Sequence, residues 1–325
     1  MLSRRSILAA TTGLVATNLI PEIAMSQTSS PAATGQAPGF YRYRVGDVIV
    51  TAVNDGTAAR PLDGFIRNAD IADVRQALSE AFMPTDSLTL NFTTLVLQTD
   101  GRLVLIDTGN GDLGAPTTGL WMANFKAAGF APENVDTIII SHFHGDHING
   151  LRRKDGTAVF PRAEIKVPAP EWDFWMDDGK MAAAPDAAKP NFQNVRRVFG
   201  PIAKDVARFA WESEVVPGIK AVAAPGHTPG HTAFDIRSGD GRLFLMSDTT
   251  NHPALFVRHP DWQAVFDFDG NLARDTRRKL LDMAVADRVQ VAFYHAPFPA
   301  TGHIVKRGDG YDLVPIIWNP HPQAG

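Results

Sequence analysis

Residues 137–150, Thr-Ile-Ile-Ile-Ser-His-Phe-His-Gly-Asp-His-Ile-Asn-Gly, constrain the fold of this chain more than any other stretch. The three isoleucines predict a short buried strand, because branched apolar residues favour extended backbone. Four potential metal ligands follow this strand within six positions, and they are His142, His144, Asp146 and His147. The stretch therefore predicts a metal site at the end of a strand.

Strand geometry explains how these side chains can share metal ions. Side chains two residues apart in extended backbone point to the same side, so His142 and His144 can reach one ion. Gly145 permits a sharp bend, which can aim Asp146 and His147 at a second ion. Imidazole and carboxylate ligands together suit zinc, although other first-row divalent ions accept the same ligands. The competing interpretation is that the histidines are solvated or capping residues, which fits isolated histidines better than this spacing.

The His-x-His-x-Asp-His motif resembles the signature of the metallo-β-lactamase superfamily. Similarity to the branch of methyl parathion hydrolase and related lactonases and arylesterases runs from Pro38-Gly-Phe-Tyr-Arg to Gly302-His-Ile. The resemblance implies a fold of α+β or α/β class, a four-layered αββα sandwich with its metal site at one edge of the sheets. It also implies two divalent metal ions, with zinc as the expected metal.

The same resemblance extends the ligand set to later strand ends. His227 follows an apolar strand predicted at 219–223 and would complete the first metal site with His142 and His144. Asp248 follows a strand predicted at 243–246. A carboxylate has two oxygens and can hold two cations at once, so Asp248 is the expected bridge between the ions.

The second metal site has two candidates for its last ligand. His295 follows the strand predicted at 289–294 directly, as the other ligands follow theirs, and is favoured to join Asp146 and His147. His303 is the competitor, and it is otherwise interpreted as a pocket or supporting residue.

Two further residues are expected to support ligands rather than bind metal. Asp107 ends the strand predicted at 103–106 and either orients groups beneath the metals or simply forms a turn. His231 is expected to donate a hydrogen bond to the site. His252, His259 and His321 are interpreted as solvated loop residues.

The resemblance implies a binuclear hydrolase that attacks ester, lactone or organophosphate triester bonds with a metal-bridging hydroxide, with Asp248 and Asp146 acting through the metals. The chain has no cysteine, which excludes thiolate ligands and disfavours the β-lactamases that use one. It also lacks a Gly-x-Ser-x-Gly motif, which removes the serine-esterase alternative.

Three alternatives stay open. One is a lactonase specific for acyl-homoserine lactones, although such enzymes often carry a Tyr where this chain has Asn251. The second is a non-catalytic metal-binding protein, which the full set of ligand types disfavours. The third is a diiron redox protein, in which a Glu usually replaces the residue corresponding to His144.

Aromatic residues near the predicted ligands suggest the substrate. Trp172, Trp175, Phe192 and Phe298 lie in segments expected to border the site, and aromatic walls suit an aryl leaving group. The expected substrate is therefore a small neutral molecule, aromatic or a lactone. These rings can equally be ordinary core residues. Residues 177–190, rich in Ala, Asp, Gly, Lys and Pro, are interpreted as a mobile insertion or lid.

Charge excludes one class of partner. The formal net charge of −4 offers no basic surface of the kind that nucleic acid requires, so no nucleic-acid partner is expected. Relatives in the resembled family are often dimers, which makes a homodimer an option, but no heptad pattern supports it independently.

The N-terminal region predicts export. Residues 1–26 contain Arg4-Arg5, a short apolar stretch and Ala24-Met-Ser26, which together resemble a twin-arginine signal peptide read by the export machinery. The alternatives are an uncleaved membrane anchor and a chance Arg pair. Residues 27–38 are small and polar and predict a flexible linker, so the hydrolase domain is expected to span 39–325. The expected location is the periplasm or the medium.

One further helix is predicted after the lid segment. Ile202, Val206 and Phe209 recur at three- to four-residue spacing, which is typical of one helix face.

Overall fold

The computed structural model describes residues 36–321. The predicted signal, 1–26, and residues 27–35 of the predicted linker, 27–38, lie outside the described residues. The strands are β1 Phe40–Val45, β2 Val48–Pro61, β3 Ser87–Thr99, β4 Arg102–Ile106, β5 Thr137–Ile139, β6 Glu164–Pro168, β7 Ala207–Phe209, β8 Glu214–Val216, β9 Ile219–Ala223, β10 Thr232–Ser238, β11 Gly241–Leu245, β12 Gln290–Ala292, β13 Thr301–Arg307 and β14 Gly310–Pro315.

The helices lie mostly between strands. They are α1 Ile71–Glu80, α2 Trp121–Ala127, α3 Gly145–Ile148, α4 Ala169–Trp175, α5 Asp178–Ala183, α6 Lys189–Phe199 and α7 Gly270–Ala286. Short 3₁₀ turns cover Pro132–Asn134, Asn149–Leu151, Gly200–Ile202 and Ser247–Thr249, and one π-helical turn covers Pro253–Val257. None of the helices in residues 36–321 combines the length and apolar character that a membrane span requires.

The strands form two seven-stranded mixed sheets. The first has the order β1-β2-β3-β4-β5-β6-β7 and the second β14-β13-β12-β11-β10-β9-β8. Each sheet is therefore built from one continuous half of the chain. In the first sheet β4 to β7 run parallel, and in the second β11 and β12 do.

Alternating side chains place each sheet between two cores. In β4, Leu103 and Leu105 pack toward the helical layer, whereas Val104 and Ile106 face the other sheet. This follows from the two-residue period of a strand, which sends neighbouring side chains to opposite faces.

The layers follow from these cores. Helices α2, α4 and α6 cover the first sheet, and α7 covers the second. Between the sheets lies a third core, to which both contribute apolar side chains. The predicted four-layered αββα sandwich is thus confirmed.

One edge of the sandwich collects the strand ends that matter for the site. The carboxyl ends of parallel neighbours meet at the same edge of a sheet, which holds for β4 and β5 and for β11 and β12. The segments after β5, β9, β11 and β12 carry the predicted ligands.

The predicted helix at Ile202, Val206 and Phe209 is wrong. The chain forms a 3₁₀ turn that ends at Ile202 and then strand β7. Phe209 packs into the core between the sheets and contacts Phe234 edge-on, so tertiary packing overrides the helical spacing. The interpreted lid, 177–190, includes helix α5 and the first residues of α6.

Candidate metal centre

Three histidine nitrogens converge at the first cluster. His142, His144 and His227 each offer a ligand atom within 4.8 Å of the others. Nε2 of His142 lies 3.1 Å from Nδ1 of His144, which in turn lies 3.0 Å from Nε2 of His227. Residues 83 positions apart are thus brought together by the ends of β5 and β9.

The second cluster lies beside the first. Asp146, His147, Asp248 and His295 also present ligand atoms within 4.8 Å of one another. Nε2 of His147 is 3.4 Å from Oδ2 of Asp146 and 3.4 Å from Oδ1 of Asp248. Nε2 of His295 is 3.5 Å from Oδ2 of Asp146.

Asp248 touches both clusters. Its Oδ2 lies 3.3 Å from Nε2 of His227 in the first cluster and 3.0 Å from Nε2 of His295 in the second. Its Oδ1 faces His147. The two carboxylate oxygens therefore stand between the two groups of imidazoles, as a bridging ligand requires.

Hydrogen bonds behind the rings fix which nitrogen faces the cluster. Nδ1 of His147 lies 2.8 Å from Oδ2 of Asp107, Nδ1 of His227 lies 3.0 Å from Oδ1 of Asp267, and Nδ1 of His295 lies 2.8 Å from the main-chain oxygen of Asn91. Each acceptor fixes a proton on Nδ1, so the neutral form of each ring directs its Nε2 lone pair into the cluster.

The donor atoms are arranged as ligands of a metal ion would be. Two lone-pair nitrogens about 3 Å apart repel unless a proton or a metal ion lies between them, and a zinc ion with bonds of about 2.0–2.1 Å spans such a gap. Nε2 of His147 and Oδ1 of Asp248 are buried and have no hydrogen-bond partner among the described residues. Buried polar atoms are normally satisfied, so these two need a ligand.

Burial and neighbouring charges set the protonation states in the first cluster. Burial, with the nearby His227, lowers the pKa of His144 to about 3, so this imidazole is neutral. Burial also acts to lower the pKa of His227, but hydrogen bonds to Asp248 and Asp267 outweigh it and raise that pKa to about 9. The carboxylates thus create a site that favours positive charge on the imidazoles or between them.

Asp107 occupies the supporting position that the sequence left open. Its Oδ1 accepts from the main-chain N–H of Ser141, and its Oδ2 accepts from the Ser141 hydroxyl and faces His147. Its φ of 62° lies in the left-handed region, which costs a non-glycine residue about 1–3 kcal/mol. Ser247, with φ 46°, repeats this conformation before Asp248 and donates its hydroxyl to Ser141.

His231 and His303 have different surroundings. Nε2 of His231 accepts from the main-chain N–H of Asp248, and Nδ1 faces the carbonyl oxygen of Ala224, so this ring anchors the Asp248 loop. His303 is exposed on β13 and stands apart from both clusters. Among the histidines interpreted as solvated, His252 is buried, with 2% of its surface exposed, which corrects that interpretation.

Sequence reasoning missed a buried carboxylate that joins two ligand loops. Oε1 of Glu171 accepts from the N–H of Phe143 and from Nε1 of Trp175. Oε2 accepts from the hydroxyl of Thr228 and the N–H of Gly230. Glu171 therefore links the loop of His142 and His144 to the loop of His227. A buried glutamate that follows Pro170 at the start of a helix carries no sequence signal for such a role.

A cavity of about 580 Å³ opens onto both clusters. Apolar side chains line part of it, namely Leu90, Phe92, Leu113 and Phe266. Three amides and one guanidinium also reach it, and these belong to Asn110, Asn191, Asn251 and Arg60. Oδ1 of Asn251 is buried and has no hydrogen-bond partner among the described residues.

None of the four aromatic residues proposed for the pocket lines this cavity. Trp172, Trp175 and Phe192 are buried in the core beneath the first sheet's helices, although the Trp175 ring lies 6.5 Å from that of His144. Phe298 lines a separate cavity near β14. The aromatic rings that do line the cavity belong to Phe92 in β3 and Phe266 in the loop before α7. In these segments the sequence pattern does not distinguish a residue that lines a cavity from one buried in the core.

Comparisons with known proteins agree with this geometry. A family model described as metallo-beta-lactamase superfamily matches residues 90–295. An N-acyl homoserine lactonase from Bacillus sp is 24% identical over 239 residues, which cover 67% of this chain and 86% of the Bacillus protein.

Two solved structures match over most of the chain. AidC, described as a dizinc quorum-quenching lactonase in complex with a product, is 26% identical with a TM-score of 0.82, covering 86% of this chain and 98% of AidC. The hydrolase AbOPH, described as lying in the beta-lactamase superfamily, is also 26% identical with a TM-score of 0.82, covering 88% of this chain and 100% of AbOPH.

Proposed function

This chain belongs to the metallo-β-lactamase superfamily and is a metal-dependent hydrolase, and we propose that it binds two zinc ions and opens lactones, with N-acyl homoserine lactones as the first candidates. The observation that carries this proposal is the position of Asp248 between two groups of imidazoles, each complete enough to hold one ion. The similarity to lactonases supports the choice of substrate.

The donor set divides between the two ions. His142, His144 and His227 would hold one, Asp146, His147 and His295 would hold the other, and Asp248 would contact both. Two bound ions supply Lewis-acid chemistry, which polarises a substrate carbonyl and lowers the pKa of water. Asp107, Asp267 and the Asn91 carbonyl keep the ligand rings oriented.

The cavity suits a substrate with a polar head and an apolar body. Phe92, Leu113 and Phe266 can pack against an acyl chain or ring and exclude water from the reacting bond. Asn251 has an unused amide that can hydrogen-bond a substrate oxygen. It occupies the place where the resembled lactonases often carry Tyr, so its amide would take over the contact to the leaving oxygen.

Aryl esters and phosphotriesters form a second candidate class. The Phe92 and Phe266 rings at the cavity wall favour an aromatic leaving group, because offset and edge-on ring contacts add stabilisation beyond buried area. The same donor set serves carbonyl and phosphoryl centres alike.

A substrate panel on purified protein tests the proposal. We expect the highest kcat/KM for N-hexanoyl homoserine lactone, lower values for dihydrocoumarin and 4-nitrophenyl butyrate, and the lowest for methyl paraoxon. Chelator-treated protein, reloaded with Zn²⁺, provides the matched control. Redox-active iron with no hydrolysis of any substrate would contradict the proposal, and an aryl ester or methyl paraoxon above every lactone would select the second class.

The predicted export stays a proposal about location. An exported enzyme would meet lactones outside the cytoplasm. Fractionation of cells that produce the wild-type chain or a variant with Arg4→Lys and Arg5→Lys tests it, because the twin-arginine route requires the arginine pair. Equal distribution of the two proteins between fractions would count against export.

A further inference from the structure

A buried arginine on α7 stands directly behind the candidate metal centre. Arg277 has 1% of its surface exposed, and its guanidinium lies 5.0 Å from the centre of the Phe256 ring. Its Nε donates to the carbonyl oxygen of Thr249, and its Nη1 donates to the carbonyl oxygens of Pro260 and Trp262. Thr249 is the residue after Asp248, so this contact holds the loop that carries the bridging carboxylate.

The same arginine also reaches the first cluster through a carboxylate. Its Nη2 lies 3.5 Å from Oδ2 of Asp267, and Oδ1 of Asp267 lies 3.0 Å from Nδ1 of His227. The N–H of Ala264 donates to the same Oδ2. Asp267 is buried, so both of its oxygens are satisfied without water, one by a ligand ring and the other by Arg277 and the main chain.

This pair is poorly explained as a stabilising ion pair. Burying a guanidinium and a carboxylate costs several kcal/mol in desolvation, and apolar replacements of buried ion pairs are often neutral or stabilising. The arrangement is better explained by geometry, because the planar guanidinium has five donors in a fixed fork and can hold several acceptors in set positions. Here those acceptors are the loop after Asp248 and the carboxylate behind His227.

We infer that Asp267 and Arg277 are positioning residues for the metal centre. Asp267 fixes the tautomer and orientation of His227, and Arg277 connects Asp267 to the loop that carries Asp248. Asp267 requires the proton of His227 on Nδ1, which leaves Nε2 free for the ion. The negative charge of Asp267 also makes the imidazole a stronger electron-pair donor to the metal. Arg277 orients Asp267 and holds the Thr249 carbonyl. This inference rests on the proposed metal-dependent function.

The positioning role of Asp267 and Arg277 can be tested by measuring metal affinity, which needs no substrate. Zn²⁺ binding to the metal-free protein is followed by competition with a chromophoric chelator, and the visible absorption of the Co²⁺-loaded protein reports ligand geometry. In Asp267→Asn we expect one of the two ions to bind about 10- to 100-fold more weakly, as loss of a ligand's supporting partner typically does. The other ion keeps its affinity, because His147 and His295 are supported separately by Asp107 and the Asn91 carbonyl. The Co²⁺ spectrum should change as well, because the orientation of His227 at the weakened site changes.

Asp235→Asn is the matched control. Asp235 is another buried aspartate with arginine partners, Arg237 and Arg242, and it lies on β10 away from both clusters. The control variant should lose stability without a change in either metal affinity or the Co²⁺ spectrum. A purely structural role for Asp267 predicts that same result for Asp267→Asn, and this result would overturn the inference.

Arg277→Lys keeps the inference testable if Asp267→Asn fails to fold. Lysine retains the charge beside Asp267 but cannot also reach Thr249, Pro260 and Trp262, so we expect a smaller loss of affinity and an altered Co²⁺ spectrum. Wild-type affinities and spectrum in this folded variant would overturn the role of Arg277. A wild-type protein that binds two ions but hydrolyses nothing would contradict the proposed function and leave this inference standing.

Discussion

Nε2 of His295 lies 3.0 Å from Oδ2 of Asp248, although 47 residues separate the two along the chain. Their strands, β12 and β11, are parallel neighbours, so both residues leave the sheet at the same edge. His303, the other candidate for the second site, is on the antiparallel strand β13 and is exposed. The contact makes His295 the candidate ligand.

His295→Ala should therefore remove the second ion and lower kcat/KM by more than about a hundredfold. Loss of a residue that only supports a ligand typically costs about 10- to 100-fold, so a larger loss indicates a ligand. His303→Ala is the matched control and should retain both ions and full turnover. Metal content by elemental analysis, with hydrolysis of the best substrate, checks the pair. Loss of the second ion in His303→Ala, with both ions retained in His295→Ala, would identify His303 as the ligand instead.

Asp248→Ala should affect both ions at once. The carboxylate lies between the two clusters, and its loss leaves each group of imidazoles without its shared anionic ligand. We expect lower occupancy of both sites together with loss of nearly all turnover, measured on the same preparation. Full activity with two ions bound would refute the bridging assignment.

Glu171→Gln should destabilise the protein although it removes only a charge. The four groups around the carboxylate are all donors, so a glutamine amide would point its own N–H bonds at two of them. We expect a loss of about 2–3 kcal/mol in the free energy of unfolding, the cost of leaving buried donors unsatisfied. Denaturant unfolding measures it. Glu133→Gln, at an exposed position, is the control and should be close to neutral.

His252 should contribute acid sensitivity. Burial, together with the nearby His295, lowers its pKa from 6.5 to about 4 in the folded state. Between these values the unfolded chain binds a proton that the folded protein does not, so stability falls as pH decreases from about 6.5 to about 4. The contribution is about 3 kcal/mol at 1.36 kcal/mol per unit of pKa shift.

Thermal unfolding from pH 7 to pH 4, compared between wild type and His252→Gln, isolates this contribution from that of the ligands. The variant should show a smaller loss of stability, whereas His303→Gln, at an exposed position, should follow the wild type. Parallel curves for wild type and His252→Gln would show that His252 does not titrate as its burial implies.

Removal of metal should lower the melting temperature substantially. The proposed ligands of each ion come from both sheets, so an ion that binds only the folded state would stabilise it by about 2.7 kcal/mol at a free concentration of 100 times its Kd. Calorimetry with and without chelator checks this. Asp248→Ala should show a much smaller shift, and an equal shift would indicate metal bound elsewhere.

The residues that sequence reasoning could identify share one property. His142, His227, Asp248 and His295 each follow an apolar strand or its immediate turn, and strands that run in the same direction end at the same edge of a sheet. The period of two along a strand then decides which neighbours point together. These local signals point to ligands at strand ends, whereas the family resemblance implied the division of the ligands into two sites and the four-layered sandwich.

The residues that it missed depend on distant partners. Arg277 lies on the buried face of a helix in a run of charged residues, and only the fold shows that it meets the Thr249 carbonyl. Trp172 and Phe192 are buried aromatic residues like Phe92, but only the fold shows that Phe92 also lines the cavity and that the other two do not. At Phe209, the apolar spacing predicted a helix, but the segment pairs with β6 as a strand.

Among the described residues the chain passes from one sheet to the other once, between Phe209 and Glu214, so each sheet is built from one continuous half of the chain. Neither half carries a full set of donors for either ion, since the first supplies the ligands at 142–147 and the second supplies His227, Asp248 and His295. The candidate metal centre is therefore an interface between the two halves of the chain, and neither half presents a complete ligand set without the other.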